Sequence, residues 1–350
     1  MSAYAIILAG GSGERLWPLS TPVLPKQFVS LFGGRPLITH AVERIAGLIP
    51  PERTFVITAS RLVQLTRKAL PGIPRANIVG EPCSRDTAAA VAVACGIVKK
   101  HGGDSAVGCV LTADHLITPV AEFRKTLKDA VKAAEKTGSI VTIGVEPDRP
   151  AVEFGYVECA GAVATGTKTA FNRVERFVEK PDAAKAAAYL KSGRYRWNSG
   201  MFIWRADVLE SEFSRSAPDL LPLIGRVARL KNTESVLKKD YPPLRKISFD
   251  YAVMEKARDV IVAKSGFVWD DVGSWLSASK YLTKDTSGNV EHGNTSFLDV
   301  SDSIVVGTPG HLVAMIGVKD LVVVHTAEAT LVCAKDRVQD IKKLLADLRT

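Results

Sequence analysis

The apolar residues between positions 4 and 145 follow two different spacings. Short runs rich in valine and isoleucine are typical of buried strands, and apolar residues at every third or fourth position are typical of helices. The pattern predicts strands over 4–9, 54–59, 106–112 and 139–145, and helices over 36–49, 61–70, 87–100 and 121–136. Near-continuous apolar strands separated by helices indicate a parallel sheet that is covered on both faces. The helix over 87–100 is rich in Ala and Val all round, which is typical of a buried helix.

The pattern changes twice further along the chain. From about residue 151 the strand-like pieces are shorter, over 155–159, 172–179 and 200–204, with a helix over 183–190. We expect an antiparallel extension of the sheet there, carrying the pocket of a second substrate. After about residue 286, short strands recur at even spacing over 294–300, 303–307, 312–316, 321–325 and 329–333, followed by an amphipathic helix over 337–348. Such spacing predicts a solenoid or a small β-domain, so we predict two domains, over 1–285 and 286–350.

Composition narrows the class of protein. No run of eighteen apolar residues occurs, and the first strand begins close to Met1, so we expect a soluble cytoplasmic protein with no membrane span and no signal peptide. Five cysteines lie far apart, in an odd number, and their spacing predicts neither a disulfide framework nor a zinc site. The net charge of +9 suits a polyanionic partner. Because the basic residues are dispersed, a nucleotide fits better than a nucleic acid.

The first predicted strand runs directly into a glycine-rich turn, AGGSGER over residues 9–15. Glycines allow the backbone to approach a phosphate closely, and the N–H groups of such a turn bind anions. A dinucleotide fingerprint would need a third glycine where Leu16 stands, and a P-loop would need Gly-Lys-Ser/Thr. What remains is a glycine loop followed by Arg15 and, after Pro25, by Lys26. Two cations at one loop suit a triphosphate, and a solvated surface is the alternative.

Acidic residues follow two predicted strands or turns. Asp114 comes just after the strand over 106–112, in the motif TADH, and Asp270 and Asp271 lie in the motif WDDVGSW. Magnesium is commonly held by one or two carboxylates together with substrate phosphates. Asp114 and Asp271 are therefore candidates to share one ion. Helix capping is the alternative role for Asp114, and His115 is interpreted as a packed or loop histidine.

The motif RFVEKP places Glu179 and Lys180 at a strand end, before Pro181. Adjacent side chains point to opposite faces of a strand unless the backbone turns, and a proline favours such an end. Glu179 is then a candidate to accept hydrogen bonds from sugar hydroxyls and Lys180 to contact a phosphate, although a plain surface strand end fits equally. The motifs WNSGMF and EFGYVE add an amide, Asn198, and a close-approach glycine, Gly155.

Taken in order, nine motifs resemble those of the nucleoside-diphosphate-sugar pyrophosphorylases. They cover roughly residues 4–280 and read LAGGSGERLWPLS, PKQF, GEPCSRDTAAA, TADH, EFGYVE, RFVEKP, WNSGMFIW, SFDYAVMEK and WDDVGSW. The Leu-Trp-Pro after the loop, Pro-Lys-Gln-Phe and Trp-Asn-Ser-Gly-Met-Phe are similar to the guanylyl branch, the bacterial mannose-1-phosphate guanylyltransferases. The chain departs from the family pattern at Thr21, Asp86 and Thr112, where relatives often have Arg, Asn and Pro.

The resemblance implies an α/β fold: a Rossmann-like mixed, mostly parallel sheet with helices on both faces, plus a short C-terminal left-handed β-helix-like domain. It implies the substrates GTP and mannose-1-phosphate, Mg²⁺ as cofactor, no nucleic-acid partner, and a homodimer as one option. The residues that it assigns are, for the nucleotide, Gly10, Gly11, Gly13, Arg15, Lys26, Glu81, Asp86 and Thr87; for the sugar phosphate, Gly155, Glu179, Lys180 and Asn198; and for the metal, Asp114 and Asp271. Among these, Arg15, Lys26 and Lys180 are implied to be catalytic.

The implied reaction is an in-line attack of the sugar phosphate on the α-phosphorus of GTP. A phosphate dianion is already nucleophilic, so positioning and charge neutralisation suffice. Two alternatives stay open: another sugar-1-phosphate, such as that of a heptose or glucose, and a non-catalytic regulatory homologue. The regulatory homologue would be expected to lack Lys26, Asp114, Lys180 or Asp271, all of which are present.

Overall fold

A computed structural model describes residues 3–11 and 13–348 of the chain. The strands are β1 Tyr4–Ala9, β2 Thr54–Ala59, β3 Ile78–Glu81, β4 Val107–Thr112, β5 Leu116–Thr118, β6 Ile140–Val145, β7 Tyr156–Val163, β8 Phe171–Val178, β9 Tyr195–Arg205, β10 Val260–Lys264, β11 Val268–Asp270, β12 Val290–His292, β13 Asn294–Leu298, β14 Ile304–Val306, β15 Leu312–Ile316, β16 Leu321–His325 and β17 Thr330–Ala334. The α-helices are α1 Leu37–Glu43, α2 Val63–Ala69, α3 Asp86–Gly102, α4 Val120–Thr137, α5 Ala183–Ser192, α6 Ala206–Ser216, α7 Leu221–Arg229, α8 Thr233–Asp240, α9 Phe249–Ala252, α10 Trp275–Ser279 and α11 Ile341–Asp347.

The described residues divide into two compact units. The first unit comprises residues 3–10, 41–113 and 117–269, and the second comprises 11, 13–40, 114–116 and 270–348. The boundary after residue 285, drawn from composition, stays a prediction. In the part of the chain that the structure describes, no helix combines the length and apolarity that a membrane span requires.

The first unit is built on a nine-stranded sheet of the described residues, in the order β3-β2-β1-β4-β9-β6-β10-β8-β7. Strands β1 to β4 are parallel to one another, as are β6 and β10. Their carboxyl ends therefore meet at one edge of the sheet, which is where open α/β sheets bind ligands. The predicted mixed, mostly parallel sheet with helices on both faces is confirmed.

One strand departs from the expected layout. The antiparallel strands after residue 151 were expected to extend the sheet, and β7 and β8 do lie at its far edge. Strand β9, however, is inserted between β4 and β6 and runs antiparallel to both. Its amino-terminal half, including Asn198, therefore lies at the edge where its parallel neighbours end.

Helix α3 is the most buried helix in the core of the first unit. Every residue from Ala88 to Val98 is buried, and the helix packs against α6 and α7. The all-round apolar composition over 87–100 predicts this burial, so the prediction is confirmed. Burying a Val or Leu side chain is worth about 1.5–3 kcal/mol, which makes this helix a main source of cohesion in the first unit.

The second unit contains short parallel strands stacked in register. Val290 is paired with Ile304, and Ile304 with Val322, so an apolar row runs through β12, β14 and β16. Strands β13 and β15 form a second parallel pair, and β17 closes the first sheet antiparallel to β16. The predicted β-helix-like domain is confirmed. Its core also includes side chains from the segment 13–40, namely Leu16, Val29, Leu31, Phe32 and Leu37.

Several element predictions need correction. The helix predicted over 36–49 ends at Glu43, and the chain continues as single turns in which Gly47 takes a φ of +79°. The helix predicted over 337–348 begins as a 3-10 helix, Lys335–Asp340, and is α-helical only from Ile341. The strand predicted over 200–204 extends over Tyr195–Arg205. The sequence pattern also predicts none of the helices α6 to α9.

Candidate functional site

The glycine loop of the second unit brings Lys26 close to the backbone at Gly13. Gly13 takes a φ of +56°, and a Cβ atom built there would lie 2.1 Å from the Cβ of Lys26. A side chain at position 13 is therefore excluded both by conformation and by space. Gly11 is exposed with a φ of +107°, and Ser12 lies outside the described residues.

Lys26 lies at the centre of a charged group. Its Nζ is 2.7 Å from Oδ2 of Asp114, and it also donates a hydrogen bond to the backbone carbonyl of Asp271. The Lys26 side chain is 7% exposed, so the ion pair is shielded from water on one side. Burial raises the pKa of Asp114, but the charges of Lys26 and His115 outweigh burial and hold that pKa below its usual value. His115 thus contacts Asp114, with 3.6 Å between its Nε2 and Oδ1.

Asp271 completes this group with a second carboxylate. Burial raises its pKa, the nearby charges of Asp270 and Asp114 raise it further, and Lys26 and Arg15 oppose them. Arg15, half-exposed in the 3-10 helix Glu14–Leu16, therefore acts on the same carboxylate as Lys26. We call Arg15, Lys26, Asp114 and Asp271 the charged cluster.

The backbone around Asp271 is strained. Val272 takes a φ of +47°, which is costly for a β-branched residue, and its side chain is fully buried. Asp270 stabilises this turn, because its Oδ1 accepts hydrogen bonds from the Val272 N–H and the Ser277 hydroxyl. The two adjacent aspartates thus differ in their surroundings: Asp270 holds the turn, whereas Asp271, whose Oδ1 accepts the Gly273 N–H at 3.1 Å, is also close to the charges of Lys26, Asp114 and Arg15.

The charged cluster fits a hard divalent cation. A half-buried Asp271 carboxylate whose pKa is raised by two neighbouring acids is an environment that a further positive charge relieves. Oxygen ligands from carboxylates are those that Mg²⁺ and similar ions prefer. Across residues 3–11 and 13–348, no group of three or more His, Cys, Asp or Glu side chains has the arrangement of a metal site. An ion held by Asp114 and Asp271 would need further ligands, such as the phosphate oxygens of a substrate. Since Asp114 precedes no helix, the capping alternative is wrong.

In the first unit, Glu81 ends β3, which is separated from β1 by β2. A Cβ atom at Gly10, just after β1, would lie 3.8 Å from Oε2 of Glu81, so this oxygen faces Gly10. The Tyr241 hydroxyl donates a hydrogen bond to Oε1. Burial raises the pKa of Glu81, and the hydrogen bond from Tyr241 opposes that rise.

Asp86 and Thr87 start helix α3 directly after this loop. Asp86 takes a φ of +63°, a conformation that Asp and Asn adopt more readily than most residues. Its Oδ1 accepts the Thr87 N–H at 2.8 Å, and the Thr87 hydroxyl accepts the Phe249 N–H at 2.8 Å. Both side chains are exposed. The Asn that relatives often carry at position 86 suits the same left-handed backbone.

The candidate sugar-phosphate residues also come together in the first unit. A Cβ at Gly155 would lie 2.4 Å from Oε2 of Glu179 and 3.5 Å from the Cβ of Asn198, so a side chain there would displace the Glu179 carboxylate. Lys180 takes a φ of +47° and forms an ion pair with Glu179. The turn expected before Pro181 is therefore present. Burial lowers the pKa of Lys180, but the hydrogen bond and charge of Glu179 raise it above its usual value.

The amide of Asn198 is held from both ends. Its Oδ1 accepts the Thr142 hydroxyl at 2.9 Å and the Gly200 N–H at 3.3 Å. Its Nδ2 donates to Oδ1 of Asp250 at 3.1 Å. Burial and the charge of Glu179 raise the pKa of Asp250 to about 7. One N–H of the Asn198 amide remains for another acceptor.

The sequence analysis missed Tyr241 and Asp250. The motif SFDYAVMEK contains Asp250, but no pattern assigns that residue a role. Tyr241 lies in no motif, and its partner Glu81 is distant in the sequence. Of the predicted residues, the structure brings together Lys26, Asp114, Asp271, Arg15 and Gly13 in the second unit. In the first unit it brings together Gly10 with Glu81, and Gly155, Glu179 and Lys180 with Asn198.

Two family models match the chain. The model described as nucleotidyl transferase matches residues 4–288. The model described as a MannoseP isomerase/GMP-like beta-helix domain matches residues 293–348.

Curated relatives match almost the whole chain. A mannose-1-phosphate guanylyltransferase of Escherichia coli is 37% identical over 98% of this chain and 73% of its own length. A protein of the same name from Sinorhizobium fredii is 35% identical over 98% of this chain and 68% of its own length. Among solved structures, one described as a mannose-1-phosphate geranyltransferase from Thermus thermophilus covers 100% of both chains, with 35% identity and a TM-score of 0.89.

Proposed function

Because the chain belongs to the nucleotidyl transferase family, we propose that it transfers GMP from GTP to mannose-1-phosphate. The products are GDP-mannose and pyrophosphate. The observation that carries this function is the charged cluster, in which Lys26 pairs with the Asp114 carboxylate and donates a hydrogen bond to the backbone carbonyl of Asp271. Such a group matches the demands of phosphoryl transfer, and the curated relatives with this activity match nearly the whole chain.

The reaction forms one phosphorus–oxygen bond and breaks another. A phosphate oxygen of mannose-1-phosphate attacks the α-phosphorus of GTP in line, the bond to the β-phosphate breaks, and pyrophosphate leaves with the electron pair. No proton must be removed from the attacking dianion. Lys26 and Arg15 neutralise the charge that gathers on the phosphates, and the ion pair with Asp114 keeps the Lys26 amine oriented before substrate binds.

We propose Mg²⁺ as the ion of Asp114 and Asp271. When bound, it would withdraw charge from the phosphate oxygens and help to orient them. The chain presents the Asp271 carboxylate in a turn that Asp270 holds through the Val272 N–H, and it presents the Asp114 carboxylate paired with Lys26.

The first unit supplies the proposed selectivity. In this unit Gly10 is proposed to border the nucleotide; in the second unit Gly11 has the same proposed role, and Gly13 allows Lys26 to lie against the loop. Glu81 accepts the donor groups on the edge of guanine, and Asp86 and Thr87 shape the start of α3 beside it. Gly155, Glu179 and Asn198 bind the mannose hydroxyls, and Lys180 binds the sugar phosphate.

Pyrophosphate release from the purified protein tests the function. GTP, ATP, UTP and dTTP are each combined with mannose-, glucose- and heptose-1-phosphate in the presence of Mg²⁺. We expect release with GTP and mannose-1-phosphate alone, and its loss with EDTA. Release with a different pair would overturn the substrates but keep the chemistry. Folded protein that binds nucleotide yet releases nothing with any pair would overturn the enzyme.

We also propose a cytoplasmic location and no nucleic-acid partner, as the sequence predicts, and a homodimer, which the family resemblance gives as one option. Light scattering of the purified protein measures the subunit number, and a monomer at all concentrations would contradict the dimer.

A further inference from the structure

One segment of the first unit, residues 241–250, contacts both the loop that contains Glu81 and the strand that contains Asn198. It follows α8 and ends in α9, and it begins Tyr-Pro-Pro, which restricts its backbone. Its contacts with both places are specific hydrogen bonds rather than apolar packing alone.

The first part of the 241–250 segment is hydrogen-bonded to residues 81–88. The Tyr241 hydroxyl donates to Glu81, and Arg85 Nε donates to the Pro242 carbonyl at 3.0 Å. The Ile247 carbonyl accepts the Ala88 N–H at 3.2 Å. With the bond from Phe249 N–H to Thr87, the loop after β3 is held at both of its ends.

At its other end, the segment reaches β9. Asp250 follows the buried Phe249, and its Oδ1 accepts from the Asn198 amide at 3.1 Å. A primary amide has a donor end and an acceptor end that look alike in shape, so its partners decide which end faces a ligand. With Thr142 on Oδ1 and Asp250 on Nδ2, the amide of Asn198 has one orientation.

We propose that the 241–250 segment is a positioning element with two separate effects, Tyr241 setting the carboxylate of Glu81 and Asp250 setting the amide of Asn198. This inference rests on the proposed function, since it takes Glu81 as the base-reading group and Asn198 as a sugar-binding group. Neither Tyr241 nor Asp250 needs to touch a substrate.

In this proposal, Tyr241 orients the Glu81 carboxylate so that it selects a base with two adjacent hydrogen-bond donors. Guanine presents two adjacent donors, N1–H and the exocyclic amine, and an ionised carboxylate is purely an acceptor. The Tyr241 hydroxyl occupies Oε1 and leaves Oε2 facing Gly10. It also favours the ionised form that burial opposes. Without this hydroxyl, Glu81 can rotate or take up a proton, and its preference for two donors weakens.

Steady-state kinetics on two variants tests whether the effect of Tyr241 on Glu81 is separate from the effect of Asp250 on Asn198. For Tyr241→Phe, we expect the ratio of kcat/KM for GTP over inosine triphosphate, which lacks the exocyclic amine, to fall about tenfold. The KM for mannose-1-phosphate should stay within about twofold. The matched control is Tyr4→Phe, which removes another buried hydroxyl that donates to the His101 carbonyl, and it should leave the ratio unchanged.

For Asp250→Ala, the expectation is reversed. The KM for mannose-1-phosphate should rise about tenfold, while the ratio of kcat/KM for GTP over inosine triphosphate should stay unchanged. Asp250→Asn, which keeps an oxygen acceptor, restores most of the loss. Asp129→Ala is the control, since it removes a buried carboxylate that serves Thr169 instead. If Asp250→Ala does not fold, Thr142→Val removes the other restraint on Asn198 and should raise the same KM.

Three results would overturn the inference: Tyr241→Phe behaving like Tyr4→Phe, Asp250→Ala behaving like Asp129→Ala, or either variant changing both readouts equally. These are distinct from failure of the proposed function. A wild-type protein that does not use GTP and mannose-1-phosphate would overturn the function, whereas a selective wild type with unresponsive variants would overturn the inference alone.

Discussion

The charged cluster of the second unit and the hydrogen-bond network of the first are built in different ways. The cluster, Arg15, Lys26, Asp114 and Asp271, consists of formal charges close enough to shift the pKa of Asp114 and of Asp271. The network, Glu81, Tyr241, Asn198, Asp250 and Thr142, consists of oriented donors and acceptors. Charge acts over several ångströms in any direction, whereas a hydrogen bond weakens steeply with angle. We therefore expect losses in the cluster to reduce the rate and losses in the network to reduce selectivity.

The largest effect should come from Lys26→Ala. It removes the cation next to the phosphates and leaves Asp114 without its ion pair, so kcat should fall about a thousandfold. Stopped-flow or quenched-flow assays of pyrophosphate release measure this kcat, and Lys68→Ala on the exposed face of α2 is the control. A fall in kcat of less than tenfold would show that Lys26 does not stabilise the charge that builds up on the phosphates during the reaction.

A smaller effect should separate the two adjacent aspartates. Asp271→Asn removes a charge from the cluster, so kcat should fall about a hundredfold and the Mg²⁺ concentration for half-maximal rate should rise. Asp270→Asn should instead lower the melting temperature, because Asp270 holds the Val272 turn. If the two variants show the same metal dependence, the division of roles between them is wrong.

Within the network, Asn198→Ala should act on sugar binding. We expect the KM for mannose-1-phosphate to rise about tenfold and the KM for GTP to change less than twofold, because only one neutral hydrogen-bonding group is lost. Asn172→Ala on β8 removes an amide that donates a hydrogen bond to the Ala160 carbonyl, and it serves as the control. An equal rise in both KM values would contradict the separation of the two regions.

The smallest effect is one of stability and depends on pH. The pKa of Asp250 is raised from 3.8 to about 7, by burial first and then by Glu179, with Asp86 adding to it and Lys180 opposing. Between these two pH values the unfolded chain has lost a proton that the native protein keeps, so this group lowers stability as pH rises from about 4 to about 7. Asp250→Asn should therefore raise the melting temperature by a few degrees at pH 8, on the order of 1–2 kcal/mol, and hardly at pH 4.5. Thermal unfolding at both pH values measures this. A difference independent of pH would show that Asp250 does not titrate as described.

The sequence predicted the charged cluster better than the network. Arg15, Lys26, Asp114 and Asp271 were identifiable because their residue types and their places after strands or glycines carry the chemistry. Tyr241 was not, because an isolated tyrosine after a helix has no pattern, and its partner Glu81 is brought near it only by the fold. The spacing of apolar residues also predicts the parallel sheet and the repeated short strands. It does not predict the insertion of β9 between β4 and β6, because periodicity gives strands but not their order.

The second unit is discontinuous, and this has a consequence for how the protein is made. Leu16, Val29, Leu31, Phe32 and Leu37 emerge early from the ribosome, but their apolar partners, such as Val272, Trp275 and Ile304, belong to the last segment of the chain. All residues of the first unit precede residue 270. At about 5–20 residues per second, residues 270–348 take about 4 to 16 seconds to synthesise after the first unit is complete. Asp271 joins Lys26 and Asp114 at the very start of this interval, but the apolar side chains of the early segment stay exposed on the nascent chain until Ile304 and the strands after it have been made.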